Sequence, residues 1–460
     1  MAARKIMWPF LWQQSSRGYF TSGVLRAYPR LSPQEVTAIL RVNEYTQEFQ
    51  GFSVKSYDSN QLPSNNPIED TRAEARCLLT QGLLLGIFDG HAGGSCAQVL
   101  SKRLFKYVAA SLLHPEVVHK YSQAPTDLIQ SFNDNYELAK ILEELYSSSF
   151  KQFLTDLAKQ TSEVDANKAL ERAFLRIDHD MSQEAEPTVA GPASQATLTV
   201  ATAGAVACVS YIAGAHLHVA STGDCQAVLG SVTENNRWTA TKLTEEHNSD
   251  NAAEVARILA EHPPNEQDTV IKMDRLLGQL APLRAFGDFR FKWSRDRLRR
   301  LLVPKLGDQA LPPNYYTPPY LTAKPQVTHH RLTPKDKFLV IASDGLWDLI
   351  SPLQAVRLVG EHMSGKVTLN PFRLPKSEMK LKEVNQLLLQ RKEGLKMKPL
   401  DTNAATHLIR NALGGTEYGV DHGKLSQLLM LPDDMVRVFR DDITVTVVYF
   451  DSEFLQKCPA

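Results

Sequence analysis

Aspartates stand repeatedly where an apolar run meets a turn, and they are the residues here that could do chemistry. In Leu83 to Gly94 (LLLGIFDGHAGG) an apolar run ends in Asp89-Gly90-His91 and two more glycines. Lys337 to Ser343 (KFLVIAS) ends in Asp344-Gly345, with Asp348 shortly after. Ile443 to Phe450 (ITVTVVYF) is entered through Asp441 and Asp442, His216 to Ser221 runs into Gly223-Asp224, and a turn-rich stretch from Asp58 delivers Glu69-Asp70. One Asp-Gly says only that the chain turns. Four strands that each carry an acid at one end say more. If shared sheets gather those ends, the carboxylates repel one another unless a cation stands among them. A metal site is the economical reading, and oxygen ligands select a hard divalent ion.

Strands and helices must hold those ends in place. Leu83 to Phe88, short and bounded by Gly82 and Gly90, reads as an interior strand. Beyond Gly93 the period changes: Leu100, Leu104, Val108 and Leu112 predict a helix that leaves the site, within a helical region reaching about Ser149. Ser32-Pro33 before Val36, Ile39 and Leu40 predicts a capped helix, and so does Ser351-Pro352 before Val356 and Val359. Two further helical stripes are Leu170, Phe174, Ile177, Met181 and Ala405, Leu408, Ile409, Leu413, and Glu245 to His262 reads as helical too. Ala203 to Gly230 reads as a β meander, and Ala281 to Asp288 returns the chain towards the site. Arg290 to Arg300 is dense in base and reads either as a solvated helix face or as a surface for an acidic or phosphorylated partner. Leu311 to Pro325 must be extended or irregular, and lysine-rich Glu361 to Asp401 reads as a surface insertion.

The 460 residues fit one large domain with insertions, over 31–455. A formal net charge of +0 offers no overall field for nucleic acid or a membrane, and no apolar run is long enough to span a bilayer. Five cysteines without CxxC spacing read as reduced thiols, mostly buried, rather than a disulfide or zinc framework. Residues 1–30 contain no acid but interleave Arg4, Lys5, Arg17, Arg26 and Arg30 with Trp8, Phe10, Trp12 and Phe20. That composition reads as a presequence for the mitochondrial matrix, a disordered basic tail being the alternative.

Together IED at 68–70, GIFDGHAGG at 86–94, Gly223-Asp224, LRAFGD at 283–288, ASDGLWD at 342–348 and RDDIT at 440–444 resemble the metal-dependent PPM (type 2C) serine/threonine protein phosphatases. SNQLPSNNPIED, FGDFRFKWS, LPPNYYTPPYLTA and NAATHLIR are similar to the branch of that family acting on the pyruvate dehydrogenase complex. The resemblance implies an α+β fold, a sandwich of two antiparallel β-sheets flanked by α-helices, with two magnesium or manganese ions at one end and a weaker third. Carried over residue by residue, it makes Asp70, Asp89 (bridging), the Gly90 carbonyl, Asp344 and Asp441 the metal ligands. Glu69 acts through bound water, Asp224 and Asp348 match the positions for the further ion, and Asp442 lies behind the ligands. The implied reaction is hydrolysis of phosphoserine on the E1 component, by direct attack of a metal-bridging hydroxide with His91 protonating the departing oxygen. His91 as an orienting residue is the other reading. The resemblance also implies docking to the lipoyl domain of the dihydrolipoyl transacetylase core and, in one form, a regulatory subunit.

The sequence departs from the family at several positions. Asn65 occupies the place where many relatives have an arginine that grips phosphate, so another base or the metals must take over that task. Ala203 and Val206 remove two hydroxyls near the centre, Glu246 replaces a common aspartate, and Leu283 precedes Arg284 where serine is common. A phosphatase of another mitochondrial phosphoprotein, or a non-catalytic regulator of the complex, are the alternatives these changes leave.

Overall fold

The computed structural model describes residues 30–123, 126–133, 140–160, 164–187, 194–376 and 378–458. All but the last residue of the expected presequence lie outside these. Two antiparallel sheets make the centre. The first runs in the order Tyr45–Glu48, Val54–Leu62, Ile443–Phe450, Asp336–Ala342, Gln226–Val232, Trp238–Lys242. The second runs Gln326–Arg331, His216–Thr222, Gly204–Ala213, Gly82–His91, Thr71–Cys77, Ile129–Ser131, with Phe286–Gly287 also paired to Gly204–Ala213.

The two-residue period of a strand explains why these sheets stack. Along Asp336–Ala342, Leu339 and Ile341 enter the core shared with Ile87 and Val209 of the second sheet, whereas Phe338, Val340 and Ala342 enter a core shared with helical Val356, Val359 and Leu408. Helices Pro33–Arg41, Pro352–Met363 and Ala404–Gly414 thus cover the first sheet, and Ser95–Ser111 and Ala166–Glu184 cover the second. The α+β sandwich is the expected one. Ser32 and Glu35 close a reciprocal capping box on the first of these helices, as the Ser-Pro signal foretold. Four cysteines are buried free thiols and Cys458 is half-buried. No helix among the described residues is long and apolar enough to cross a membrane.

Three readings need correction. The strand Gln226–Val232 does not continue the meander: the chain leaves the second sheet at Thr222, turns through Gly223-Asp224 and enters the first. Polar-apolar alternation reports that a strand exists, not which sheet receives it. The expected helix over 245–262 shortens to Ala252–Glu261, because the Asn251 side chain caps the backbone N–H groups of Ala253 and Glu254. The basic stretch, finally, faces inward for the most part. Arg290 donates to the carbonyls of Gln309 and Ala310, Lys292 pairs with Asp178 at 2.8 Å, Arg295 donates to the Tyr315 carbonyl, and Arg297 pairs with Glu186 while lying over the Trp293 ring. Arg290 and Arg295 thereby fasten the irregular stretch after them, whose Tyr315, Tyr320 and Leu321 are buried. The lysine-rich segment does lie outside: its helix Leu381–Gly394 has no buried residue.

Each sheet ends in short polar strands. The outermost are Tyr45–Glu48 and Trp238–Lys242 in the first sheet, Gln326–Arg331 and Ile129–Ser131 in the second, none longer than 6 residues. Stacked against one of these edges are the rings of His216, His218 and His329.

Histidine burial makes stability acid-sensitive. Burial, aided by neighbouring histidines, holds His218 and His407 down at about 4, and burial beside Arg284 does the same to His247. An unfolded histidine titrates near 6.5, so between those values the unfolded chain binds more protons than the folded one. The stability these neutral rings allow is complete above pH 6.5 and is lost as pH falls towards 4. Carboxyls with raised values elsewhere in the fold act in the opposite direction over the same window, so the share of the histidines is read by substitution. His407→Asn should lower the slope of unfolding free energy against pH by up to one proton between about pH 4 and 6.5, and an unchanged slope would remove His407 from this account.

Candidate active site

Antiparallel pairing brings the acidic strand ends to one end of the sandwich. Thr71 pairs with Phe88, so the entrance of Thr71–Cys77, where Asp70 stands, adjoins the exit of Gly82–His91, where Asp89 stands. Ala342 pairs with Val445 and Ser343 N–H donates to the Thr444 carbonyl, so Asp344 at the exit of one strand adjoins Asp441 at the entrance of the next. Asp224 occupies the turn where the chain crosses between the sheets. Both sheets contribute acids to one cluster.

The electrostatics of that cluster are unfavourable as they stand. Burial, with the Asp442 charge, pushes the Asp70 carboxyl up to about 7 even though the Thr444 hydroxyl donates to it at 2.7 Å. Burial, then Asp70, Asp344, Asp224 and Asp441, hold Asp89 well above the usual carboxylate range. Burial and Asp224, Asp348 and Asp441 do the same to Asp344, and burial pushes Asp224 up to about 6. Such mutual shifts measure how strongly the site seeks positive charge. Among the described residues no three of these groups already close around one point. A hard cation that keeps most of its waters needs only one or two carboxylates each, and an oxygen-only, partly open cluster fits that requirement.

Backbone packing sets the cluster's dimensions. A Cβ on Gly90 would lie 2.5 Å from the Glu69 carbonyl, so only glycine lets the Asp89 strand come this close to the loop that carries Asp70. Asp442, buried at the mouth of the last strand, accepts from the backbone N–H groups of Ser64, Asn65 and Glu69 and from the Asn65 amide. It ties down the 64–69 loop and has little capacity left for an ion. Glu69 accepts from Gly93 N–H at 2.7 Å and pairs with Arg437 at 2.8 Å. Asp348 is exposed just beyond the short helix Asp344–Trp347, close enough for its charge to act on Asp344 and Asp224. Val206 stands opposite Asp89 in the sheet, and the hydroxyls of Thr444 and Ser343 face Asp70.

His91 stands at the exit of the same strand, and its Nε2 lies 2.5 Å from an Asp288 oxygen. Burial works against the imidazolium, but the Asp288 charge and hydrogen bond outweigh it and hold His91 above its ordinary value. Asp288 adopts a left-handed backbone at φ 49°, which is uncommon for a residue with a side chain and is held by its N–H donating to the Ala203 carbonyl. The dyad lies directly over Gly204, where any side chain would collide with both partners. Asp288 and Arg437 had no role assigned from sequence. The Gly-Asp closing LRAFGD was a usable signal for the first; nothing local marks the second.

A family model described as protein phosphatase 2C matches residues 139–380. The chain belongs to that family and is a metal-dependent protein serine/threonine phosphatase, of a family whose ions are magnesium or manganese. Its similarity is more particular than that. It is 44% identical over 469 residues to the mitochondrial pyruvate dehydrogenase (acetyl-transferring) phosphatase 1 of Bos taurus, covering 96% of this chain and 86% of that one. It is 42% identical over 452 residues to the corresponding phosphatase 2 of Homo sapiens, covering 92% and 84%. It is 30% identical over 442 residues to the phosphatase 1 of Saccharomyces cerevisiae, covering 87% and 69%.

Proposed function

We propose that this phosphatase hydrolyses phosphoserine on the E1 component of the pyruvate dehydrogenase complex in the mitochondrial matrix, and so reactivates it. The observation that carries the proposal is similarity along nearly the whole chain to enzymes whose names state that substrate. Asp70, Asp89, the Gly90 carbonyl, Asp344 and Asp441 would hold two ions, and Asp224 and Asp348 a weaker third. When bound, the ions supply a deprotonated water at neutral pH and neutralise charge on the phosphoryl group. The protein does the rest. Thr444 and Ser343 orient Asp70, Asp442 fixes the loop that carries Glu69, and His91, aimed by Asp288, holds the proton needed by the departing serine oxygen. Docking to the lipoyl domain of the transacetylase core, and binding of a regulatory subunit, belong to the same proposal.

Incubating the protein with phosphorylated E1, with and without magnesium, and following phosphate release tests the substrate. Release that depends on magnesium is expected. Hydrolysis of a small aryl phosphate while E1 stays phosphorylated would keep the site and reject E1. His91→Ala should slow an alkyl phosphate, whose leaving group needs the proton, at least about tenfold more than it slows p-nitrophenyl phosphate. Equal slowing of both would leave His91 only an orienting role.

A further inference from the structure

Two arginines from one stretch reach the carboxylate cluster, and they are placed for different tasks. Arg440 is turned inward: it donates to the Ser64 hydroxyl at 2.5 Å, and burial pulls its guanidinium down to about 10. It ties the 64–69 loop to the last strand. Arg437, on the helix Asp433–Phe439, has a side chain 51% exposed at the rim. One of its nitrogens, Nη1, donates to Asn65 Oδ1 at 2.6 Å and to Glu69 Oε2 at 2.8 Å. Its Nη2 stands 3.9 Å from an oxygen of Asp441.

A guanidinium carries five N–H donors in a rigid plane, and such a fork matches the oxygens of a phosphate two at a time. Here one corner of the fork is anchored while the rest faces the rim of the cluster. The anchors are themselves held. The Asn65 amide donates to Asp442 at 2.8 Å, and the other Glu69 oxygen accepts from Gly93 N–H at 2.7 Å. An exposed arginine at an ordinary surface gains little from a carboxylate partner and adopts many orientations. This one is bracketed by an amide and a carboxylate, beside a residue assigned to hold metal, and in contact with Asn65, which stands where many relatives carry the phosphate-gripping arginine.

We infer that Arg437 grips the phosphoryl oxygens of the substrate from the rim of the site, with Asn65 and Glu69 as its positioning residues. The inference rests on the metal-centre assignment above but not on the identity of the protein substrate. The site thereby obtains from the helix before the last strand the cation that its 64–69 loop does not supply.

Calorimetric titration of the magnesium-loaded full chain with inorganic orthophosphate tests this directly, alongside KM and kcat for p-nitrophenyl phosphate. Arg437→Ala should weaken orthophosphate binding and raise KM by about tenfold or more, with the magnesium concentration for half-maximal activity changed less than about twofold. Adding Asn65→Arg to that variant should recover at least half of the lost orthophosphate affinity on a logarithmic scale, because the base then returns from the loop side. Unchanged orthophosphate affinity in the single variant would overturn the inference. So would a shift confined to magnesium, which would make Arg437 a support for Glu69. So would a rise in KM for phosphorylated peptides alone, which would make it a reader of protein sequence. None of these readouts uses E1, so failure on E1 rejects the substrate and leaves the role of Arg437 untouched.

Discussion

Asp89→Asn should remove at least about three powers of ten of metal-dependent turnover while leaving the metal-free protein folded and no less stable than the parent. The two halves of this expectation have one cause. Asp89 is buried among Asp70, Asp344, Asp224 and Asp441, and its carboxyl is pushed far up. A group whose folded value lies above its unfolded value of 3.8 weakens the folded state at every pH where the unfolded chain has released that proton. The asparagine isostere removes that penalty at pH 7. It also removes the carboxylate charge that the proposed metal centre requires of Asp89, which an amide cannot replace. Metal-free thermal unfolding and kcat/KM with saturating magnesium, measured on one preparation, check both. Turnover within about threefold of the parent would sink the assignment of Asp89 as a ligand.

Asp442→Ala should destabilise the protein by about 3 kcal/mol or more and depress turnover as well. The carboxylate accepts from three backbone N–H groups and one amide, and the residue is 2% exposed. Alanine leaves those donors buried without partners, a cost of roughly 1–3 kcal/mol for each that water cannot reach. Relief of repulsion on Asp70 works in the opposite direction, through a single neighbouring charge, and does not balance several lost acceptor contacts. Turnover follows because the freed loop carries Glu69 and Asp70. Asp442→Asn keeps one acceptor oxygen and should lose less. Chemical denaturation and kcat measure the pair, and an alanine variant as stable and as active as the parent would show that Arg440 and Ser64 hold the loop alone.

What the sequence disclosed depended on how far apart the interacting groups lie along the chain. Every acidic strand end was legible, since an apolar run stopping at Asp-Gly is a local pattern, whereas the sandwich was expected only from the family resemblance, because the alternating burial of Asp336–Ala342 does not show in its unbroken apolar run. The helix stripes, like the strand ends, were legible as local patterns. The crossing at Gly223-Asp224 was not, because the same hydrophobic alternation suits either sheet. Nor could the basic stretch be read as internal: Lys292 finds Asp178, and Arg297 finds Glu186, more than a hundred positions away. Composition gives charge density but no partners. The pairing of His91 with Asp288 and of Asn65 with Arg437 spans 197 and 372 positions, and only the folded sheets bring them together.

The outer strands of the two sheets also bear on how the protein behaves in a crowd. An open sheet edge is a template on which another molecule's strand can add, and a chain with four such edges could assemble sideways into fibres. Here each edge is short, and the sequences YTQE, WTATK, IQS and QVTHHR offer few apolar contacts to an incoming strand. Stacked imidazoles occupy part of the last of them. Two large, apolar sheets can therefore lie at the centre of the molecule while their margins discourage self-association.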